Sequence, residues 1–331
     1  MTEVVTLGEC LVAFVASTPG PIAEATTFER FVAGAEANVA VGLARLGHEV
    51  SFIGRIGADG LGDAIRRRLA GEGVRTGDLT SDDTATTGVM FRERRVLGPA
   101  QVIYARRDSA GSRLSKADVD HAAARGAFAG ARWLHLTGIT PALSDDARAA
   151  IDRAIEHARD AGATVSLDVN LRRRLWSDET AAPVLRSLAG RVDILLGSPD
   201  ELAVVAERPP DTDPSAIALA AFDLGPSVVV AKLGADGALA ISKERPDEPI
   251  ARPAIPLTVV VDTVGAGDAF CAGFIAACLD GADLAAALER GNACGALSAA
   301  ALGDQTGLPT EAEIDAILRA NRDGGAPDTI R

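Results

Sequence analysis

Aromatic residues are scarce: one tyrosine, two tryptophans and nine phenylalanines among 331 residues, 4% in all. A core built from this chain must therefore rest on alanine, glycine and aliphatic side chains, which suits helices packed tightly on a sheet. Cysteine is also rare. Cys10, Cys271, Cys278 and Cys294 form no close C-x-x-C pair, which argues against a disulfide framework or a thiolate metal site and reads as reduced, buried small residues. The four histidines, at 48, 121, 135 and 157, share no metal-ligand spacing. Basic residues are in deficit, 33 against 46 acidic, for a net charge of -13. That balance opposes nucleic acid and anionic membrane as partners, since both need a basic face. No apolar run approaches the roughly 18 residues of a membrane span. No basic segment followed by an apolar one opens the chain, so no signal peptide is expected and the location is read as cytoplasmic. No Walker A, G-x-S-x-G or H-E-x-x-H pattern occurs, so P-loop, hydrolase-elbow and zincin chemistries are set aside.

Apolar residues make up 47% of the chain, ample for a core. Strand-like and helix-like patterns alternate along most of it, which predicts an α/β fold: a mostly parallel central sheet with helices on both faces. Strands are expected near 4–7, 51–54, 133–136, 164–167, 192–196 and 228–231. Helices are expected at 60–70, from Ser144 to Gly162, and around 269–279, 284–302 and 311–320. Two segments, about 10–33 and 87–108, break the rhythm and read as antiparallel ribbons standing off the sheet as a small β lid. In the second, Val89, Phe91, Val102 and Tyr104 are expected on one face. The whole chain, 1–331, reads as one domain with this lid inserted and a polar, frayed tail from Arg322.

The most informative stretch is Asp262-Thr263-Val264-Gly265-Ala266-Gly267-Asp268-Ala269-Phe270. A short apolar strand, 258–261, is expected before it and a small-residue helix after it. Gly265, Ala266 and Gly267 can turn several N–H groups into one space, and the helix N-terminus adds its positive end. This is an anion hole, with Asp268 as a carboxylate at its edge. The pairing suits phosphoryl transfer to an alcohol: the amides take up charge on the moving group and the acid accepts the hydroxyl proton. Elsewhere, Gly34 and Asn38 open the first long helix and could hold a polyol. Arg106, beside Tyr104 on the lid, and Arg172, past the end of a strand, could each grip a carboxylate or phosphate. Arg173 and Arg174 read as solvated surface charges.

The 262–270 string resembles the C-terminal signature of the ribokinase-like (PfkB) carbohydrate kinases. Gly34-Ala35-Glu36-Ala37-Asn38 with Gly42 and 47–57 resembles the N-terminal signature of the same family. The similarity runs from Gly8 to about Pro309 and is strongest to the 2-keto-3-deoxygluconate kinases, through Ser109-Ala110-Gly111-Ser112, 134–144 and Ser166-Leu167-Asp168-Val169-Asn170 with Arg172 and Trp176. The resemblance implies a ribokinase-like fold, ATP and Mg2+, and Asp268 as catalytic base. It implies nucleotide contacts at Asn170, Ser198, Lys232, Gly234, Gly237 and Asn292, and a water-mediated metal role for Glu201, with Ser198 where relatives often carry Asn. It implies sugar-acid contacts at Gly34, Asn38, Met90, Tyr104, Arg106, Arg172 and Asp304, Met90 replacing a tyrosine found in similar enzymes. Ala13 stands where many sugar kinases carry an aspartate, a change that favours an acidic substrate. Phosphorylation of 2-keto-3-deoxygluconate to its 6-phosphate is the implied reaction. The alternatives are a fructokinase- or ribokinase-like kinase, a nucleoside kinase, or a non-catalytic sugar-binding protein. A homo-oligomer, a dimer or larger joined through the lid, is expected.

Overall fold

The computed structural model describes residues 2–95 and 100–322. The tail expected to fray therefore lies outside the described residues, apart from Arg322, which closes the last helix. The strands are β1 (Val4–Leu7), β2 (Leu11–Pro19), β3 (Phe28–Ala33), β4 (Val50–Gly57), β5 (Leu79–Asp82), β6 (Val89–Arg94), β7 (Val102–Ala105), β8 (Trp133–Thr137), β9 (Thr164–Asp168), β10 (Ile194–Gly197), β11 (Val228–Lys232), β12 (Ala238–Ser242) and β13 (Arg245–Arg252). The helices are α1 (Ala35–Arg45), α2 (Gly60–Gly71), α3 (Lys116–Ala124), α4 (Asp145–Asp160), α5 (Asp178–Ala189), α6 (Pro199–Ala206), α7 (Pro214–Phe222), α8 (Ala266–Leu279), α9 (Leu284–Ala299) and α10 (Glu311–Arg322).

Nine strands form the central sheet in the order β13-β12-β11-β10-β9-β8-β1-β4-β5. From β11 to β5 every neighbouring pair is parallel; β12 and β13 close the far edge as antiparallel additions. Buried on both faces, the strands read as continuous apolar runs, and successive residues feed opposite cores. Val4, Phe52 and Leu196 join α1, α2, α8 and α9 on one face. Val5, Ile53 and Leu195 join α4, α5, α6 and α7 on the other. Ser144 caps α4, accepting from the Ala147 N–H at 3.1 Å, with Asp145 and Asp146 in the first turn and His157 and Arg159 in the last.

A second sheet of four strands, β3-β2-β6-β7, forms the lid. Both expected ribbons are present, β2 with β3 and β6 with β7, each antiparallel. They join through a parallel contact that sets Ala13 opposite Met90. One expectation about faces is corrected. Met90 lies opposite Tyr104 and Arg92 opposite Val102, whereas Val89 and Phe91 lie opposite Ala105 and Ile103. Directly opposed residues share a face, so Met90, Arg92, Val102 and Tyr104 look one way and Val89 and Phe91 the other. The antiparallel register pairs odd positions with odd and even with even, so Val89 and Phe91 cannot share a face with Val102 and Tyr104.

A second correction concerns 258–261, expected as a strand. Val259, Val260 and Val261 are 65%, 57% and 47% exposed and belong to no sheet. The edge position is taken by β13, and the N–H groups of Val261 and Asp262 both turn to Ala299 O, at 2.9 and 3.2 Å. Strand propensity without an edge to join does not make a strand. The helix that follows, α8, is buried nearly all round. It packs so closely on α9 that a Cβ at Gly273 would stand 2.5 Å from Cys294 Sγ and 2.8 Å from Arg290 O. Gly273→Val must force these helices apart, and a loss of roughly 1–3 kcal/mol is expected. Thermal unfolding should show a midpoint several degrees lower; an unchanged midpoint would contradict this packing.

Candidate active site

The C-terminal ends of the parallel strands all point to one side, where open α/β sheets bind ligands. A cleft of about 650 Å³ lies there, between the lid and the loops after β9, β10 and β11. It is lined by Met90, Tyr104, Arg106, Asn170, Arg172, Ser198, Glu201, Lys232, Gly234, Gly265, Gly267 and Asp268. Beside it is a smaller chamber of about 90 Å³ that adds Gly34, Asn38 and Asp304 and shares Met90, Tyr104, Arg106, Arg172 and Asp268. Fifteen residues singled out from the sequence thus meet in one place. Gly237 and Asn292 do not line it. Gly237 makes the turn into β12 with φ of 98°. Asn292 uses its amide to bind Arg252 O and Pro253 O at 3.1 and 3.0 Å, so it ties α9 to the chain after β13. Ala13 also stays out of the cleft, buried in the lid's own apolar cluster.

At the floor is the start of α8. Gly265 sits before it at φ 80°, a left-handed conformation that suits glycine, and among the described residues no side chain caps the helix. The first helical bond runs from the Ala269 N–H to Gly265 O at 2.8 Å. Among the described residues, the Gly267 and Asp268 N–H groups have no protein acceptor, as expected of a bare N-terminus. Ala266 departs from the expected hole, because its N–H turns to Thr263 O at 3.3 Å. The donors left for an anion are therefore those around it.

Asp268, in this first turn, is 6% exposed. Asn38 Nδ2 donates to its Oδ2 at 2.8 Å and Asn170 Nδ2 to its Oδ1 at 3.2 Å. Asn38 is fixed in turn by Gln305, whose Nε2 donates to Asn38 Oδ1 at 3.2 Å. The start of α1 is anchored by buried Glu36, whose Oε1 accepts from Thr137 and Thr140 hydroxyls at 2.7 and 2.6 Å. Asn170 reaches Asp268 from a left-handed backbone, φ 40°, a conformation Asn tolerates and functional sites retain. Burial, with the charge of Asp168 nearby, pushes the Asp268 carboxyl up to about 7, against the pull of the Asn38 hydrogen bond, Arg172 and Lys232.

Lys232 ends β11 and gives both Asp168 oxygens a contact of 2.7 Å. Burial disfavours its ammonium, but the Asp168 carboxylate outweighs that and its pKa rises, so a fixed positive charge stands beside the anion loop. Glu201 accepts from Leu171 N–H at 2.9 Å and Ser198 N–H at 2.8 Å. Ser198 Oγ in turn accepts from the Glu201 N–H at 3.3 Å, which completes a capping box at the start of α6. Asp304 is buried, its carboxyl raised to about 6 by burial and by Asp262 nearby. Its Oδ1 has no partner among the described residues.

Arg106 is not free. It pairs with buried Glu9, which also accepts from Ser109 Oγ at 2.9 Å, and its guanidinium carbon lies 5.3 Å from the centre of the Tyr104 ring. Arg172, by contrast, has no carboxylate at ion-pair distance among the described residues. Arg173 pairs with Asp178 and Asp200 on the surface as expected, but Arg174 donates to Val102 O and so touches the lid. Reasoning from the sequence assigned no role to Glu9, Arg92, Asp168 or Asp262. A readable signal existed for Glu9 and Asp168: a charge inside or just past an otherwise apolar strand must find a buried partner.

A bare helix start with a buried carboxylate in its first turn, a fixed lysine beside it and a lid above define a phosphotransferase of ribokinase-like fold. Residues 1–311 match the pfkB family carbohydrate kinase description, and the chain belongs to that family. It is 38% identical over 323 residues to a 2-dehydro-3-deoxygluconokinase from Bacillus subtilis (strain 168), covering 97% of this chain and 96% of that one. A 2-dehydro-3-deoxygluconokinase from Thermotoga maritima superposes with a TM-score of 0.84 at 28% identity, covering 95% of this chain and 98% of that one. An E. coli protein described as ribokinase II, solved with ATP and Mg2+, gives a TM-score of 0.86 at 26% identity and covers 96% of this chain and 99% of its own.

With Asp268 as the proposed proton acceptor, active only when ionised, kcat/KM should rise about tenfold per pH unit below about 7 and level off above it. A flat profile from about pH 5.5 to 8.5 would contradict this role. The same shift has a cost in stability. The folded state holds this proton more tightly than an unfolded Asp with pKa 3.8, so the contribution is full below that value and is lost as pH rises toward 7.

Proposed function

We propose that this carbohydrate kinase transfers the terminal phosphoryl group of ATP to a hydroxyl of a sugar acid, with 2-keto-3-deoxygluconate as acceptor and its 6-phosphate as product. The observation that carries the reading is that Arg106 and Arg172 line the same small chamber as Asp268. Two guanidinium groups there would hold the acceptor's carboxylate while its far hydroxyl meets the base. The similarity to the B. subtilis 2-dehydro-3-deoxygluconokinase supports the same substrate class.

Asn38 and Asn170 present Asp268 to the acceptor hydroxyl and Asp268 takes its proton. The bare amides at Gly267 and Asp268, with Lys232, stabilise charge on the moving phosphoryl group. In a loose transition state the proton leaves late, so most of the rate comes from positioning and electrostatics. The unpartnered Asp304 oxygen would accept a hydrogen bond from the acceptor. The lid, carrying Tyr104 and Met90, would shut out water that competes as acceptor. The donor set fits magnesium arriving on the nucleotide: Glu201 lines the cleft, and each of its oxygens accepts one N–H and keeps a lone pair for metal-bound water. Such an ion would neutralise phosphate charge. The same reading places the protein in the cytoplasm, its cysteines reduced. It also places a second copy against the outer lid face, where Phe14, Phe28 and Phe91 cluster with ring centres 5.5 and 5.8 Å apart.

One observation favours a neutral sugar instead: Glu9 already neutralises Arg106, and Glu36 and Asp304 add carboxylates to the chamber. ATP consumption against a panel of keto-deoxy acids and neutral sugars separates the two. The sugar-acid reading expects Arg106→Ala to weaken the keto acid by roughly 2–5 kcal/mol and to leave neutral sugars little changed. Equal losses on both would refute the carboxylate role. Asp268→Asn should lower kcat at least ~100-fold while calorimetry still detects ATP binding; a near-normal rate would remove Asp268 from the chemistry.

A further inference from the structure

One ion pair joins the lid to the loop that builds the anion site. Arg92, on the inward face of β6, meets Asp262 in a two-pronged contact, Nη1 to Oδ1 at 3.1 Å and Nη2 to Oδ2 at 2.5 Å. Both side chains are nearly buried, 7% and 11% exposed. The same carboxylate accepts two backbone groups: its Oδ1 takes the Val264 N–H at 3.1 Å and its Oδ2 the Gly303 N–H at 3.2 Å. Val264 precedes Gly265, the residue that sets the start of α8. Gly303 precedes Asp304, whose carbonyl would lie 2.7 Å from a Cβ on Gly265. The lid's Phe31 packs on Gly303, leaving no room for a Cβ there. Three segments, far apart in the chain, thus converge on one carboxylate, and only the arginine comes from the lid.

We propose that Arg92 is a positioning residue for phosphoryl transfer. It acts through Asp262, fixing the 262–265 loop and with it the amide donors of the anion site, and it couples that geometry to the seating of the lid. Two parallel charge-assisted bonds at a buried site give the directional stiffness this needs. Arg92 also borders the cleft, so the competing role is direct contact with a phosphate. The two differ in their dependence on Asp262. The inference rests on the reading of the α8 start as the phosphate site.

A double-mutant cycle tests it, with steady-state rates measured for Arg92→Gln, Asp262→Asn and the pair. The expected result is a loss in kcat of about 10- to 100-fold for each single variant, as small misplacements of a reacting group cause. The double variant should be no worse than the poorer single one, because both changes break one contact. The fraction of ATP hydrolysed without phosphorylating the acceptor should rise together with that loss. Millimolar guanidinium should restore part of the rate to Arg92→Ala and none to the variant lacking both Arg92 and Asp262. Losses that multiply in the double variant, or an intact rate in Asp262→Asn, would overturn the proposal and make Arg92 a direct ligand or a bystander. Arg92→Lys keeps the charge with one contact, and its rate should fall between wild type and Gln. If Asp268→Asn keeps its rate, the reading of the site itself fails, whatever the cycle shows.

Discussion

Everything at the site depends on keeping a carboxylate buried at the positive end of a helix without letting it collapse into an ion pair. Asp268 is surrounded by amide side chains, Asn38 and Asn170, that donate to it without neutralising it. The nearest ammonium, on Lys232, is held by Asp168 instead. Had Lys232 paired with Asp268, the carboxyl would titrate far lower and make a weaker base. Asp168 thus does two things at once: it holds the lysine where phosphates would pass, and its own charge helps keep the neighbouring acid basic.

The same economy of charge recurs in the chamber. Glu9, Glu36 and Asp304 are buried carboxylates, and each is handled differently. Glu9 is paired with Arg106, Glu36 takes two threonine hydroxyls, and Asp304 keeps one oxygen unpartnered. Burying such groups opposes folding unless they are bonded. The large two-faced core, with alternating strand residues feeding both sides, supplies the stability that lets a cluster of strained and acidic groups persist at one edge. Stability and the proposed activity pull against each other at Asp268, since the ionised form that a base needs is the form burial disfavours.

Much of the fold was legible because parallel strands buried on both faces leave an unmistakable apolar rhythm. The lid's two ribbons were legible from the loss of that rhythm. Side-chain facing within the lid was not, because the register of 102–105 against 89–94 is set by how the two strands pair and not by the pattern of either one. The strand expected at 258–261 failed for a related reason: valines declare a propensity, but only a free sheet edge can use it. At the site, glycines and polar residues at strand ends marked the cleft well. What the sequence could not show was how the charges pair. Arg106 looked like a free grip for substrate and is held by Glu9, while Arg172, equally ordinary in sequence, has no carboxylate at ion-pair distance among the described residues. Arg92 gave no sign that it reaches Asp262, 170 residues further on. Such pairings are set by the convergence of two sheets, which no local pattern encodes.

Tyr104 is the only tyrosine in the chain, and it stands on the lid with Arg106 beside its ring and the cleft beneath it. The protein therefore carries a single phenol, placed by its own fold on the lid wall of the site. Ultraviolet difference absorbance or selective nitration of that ring would follow the lid in the unlabelled enzyme, with no second chromophore of its kind to blur the signal.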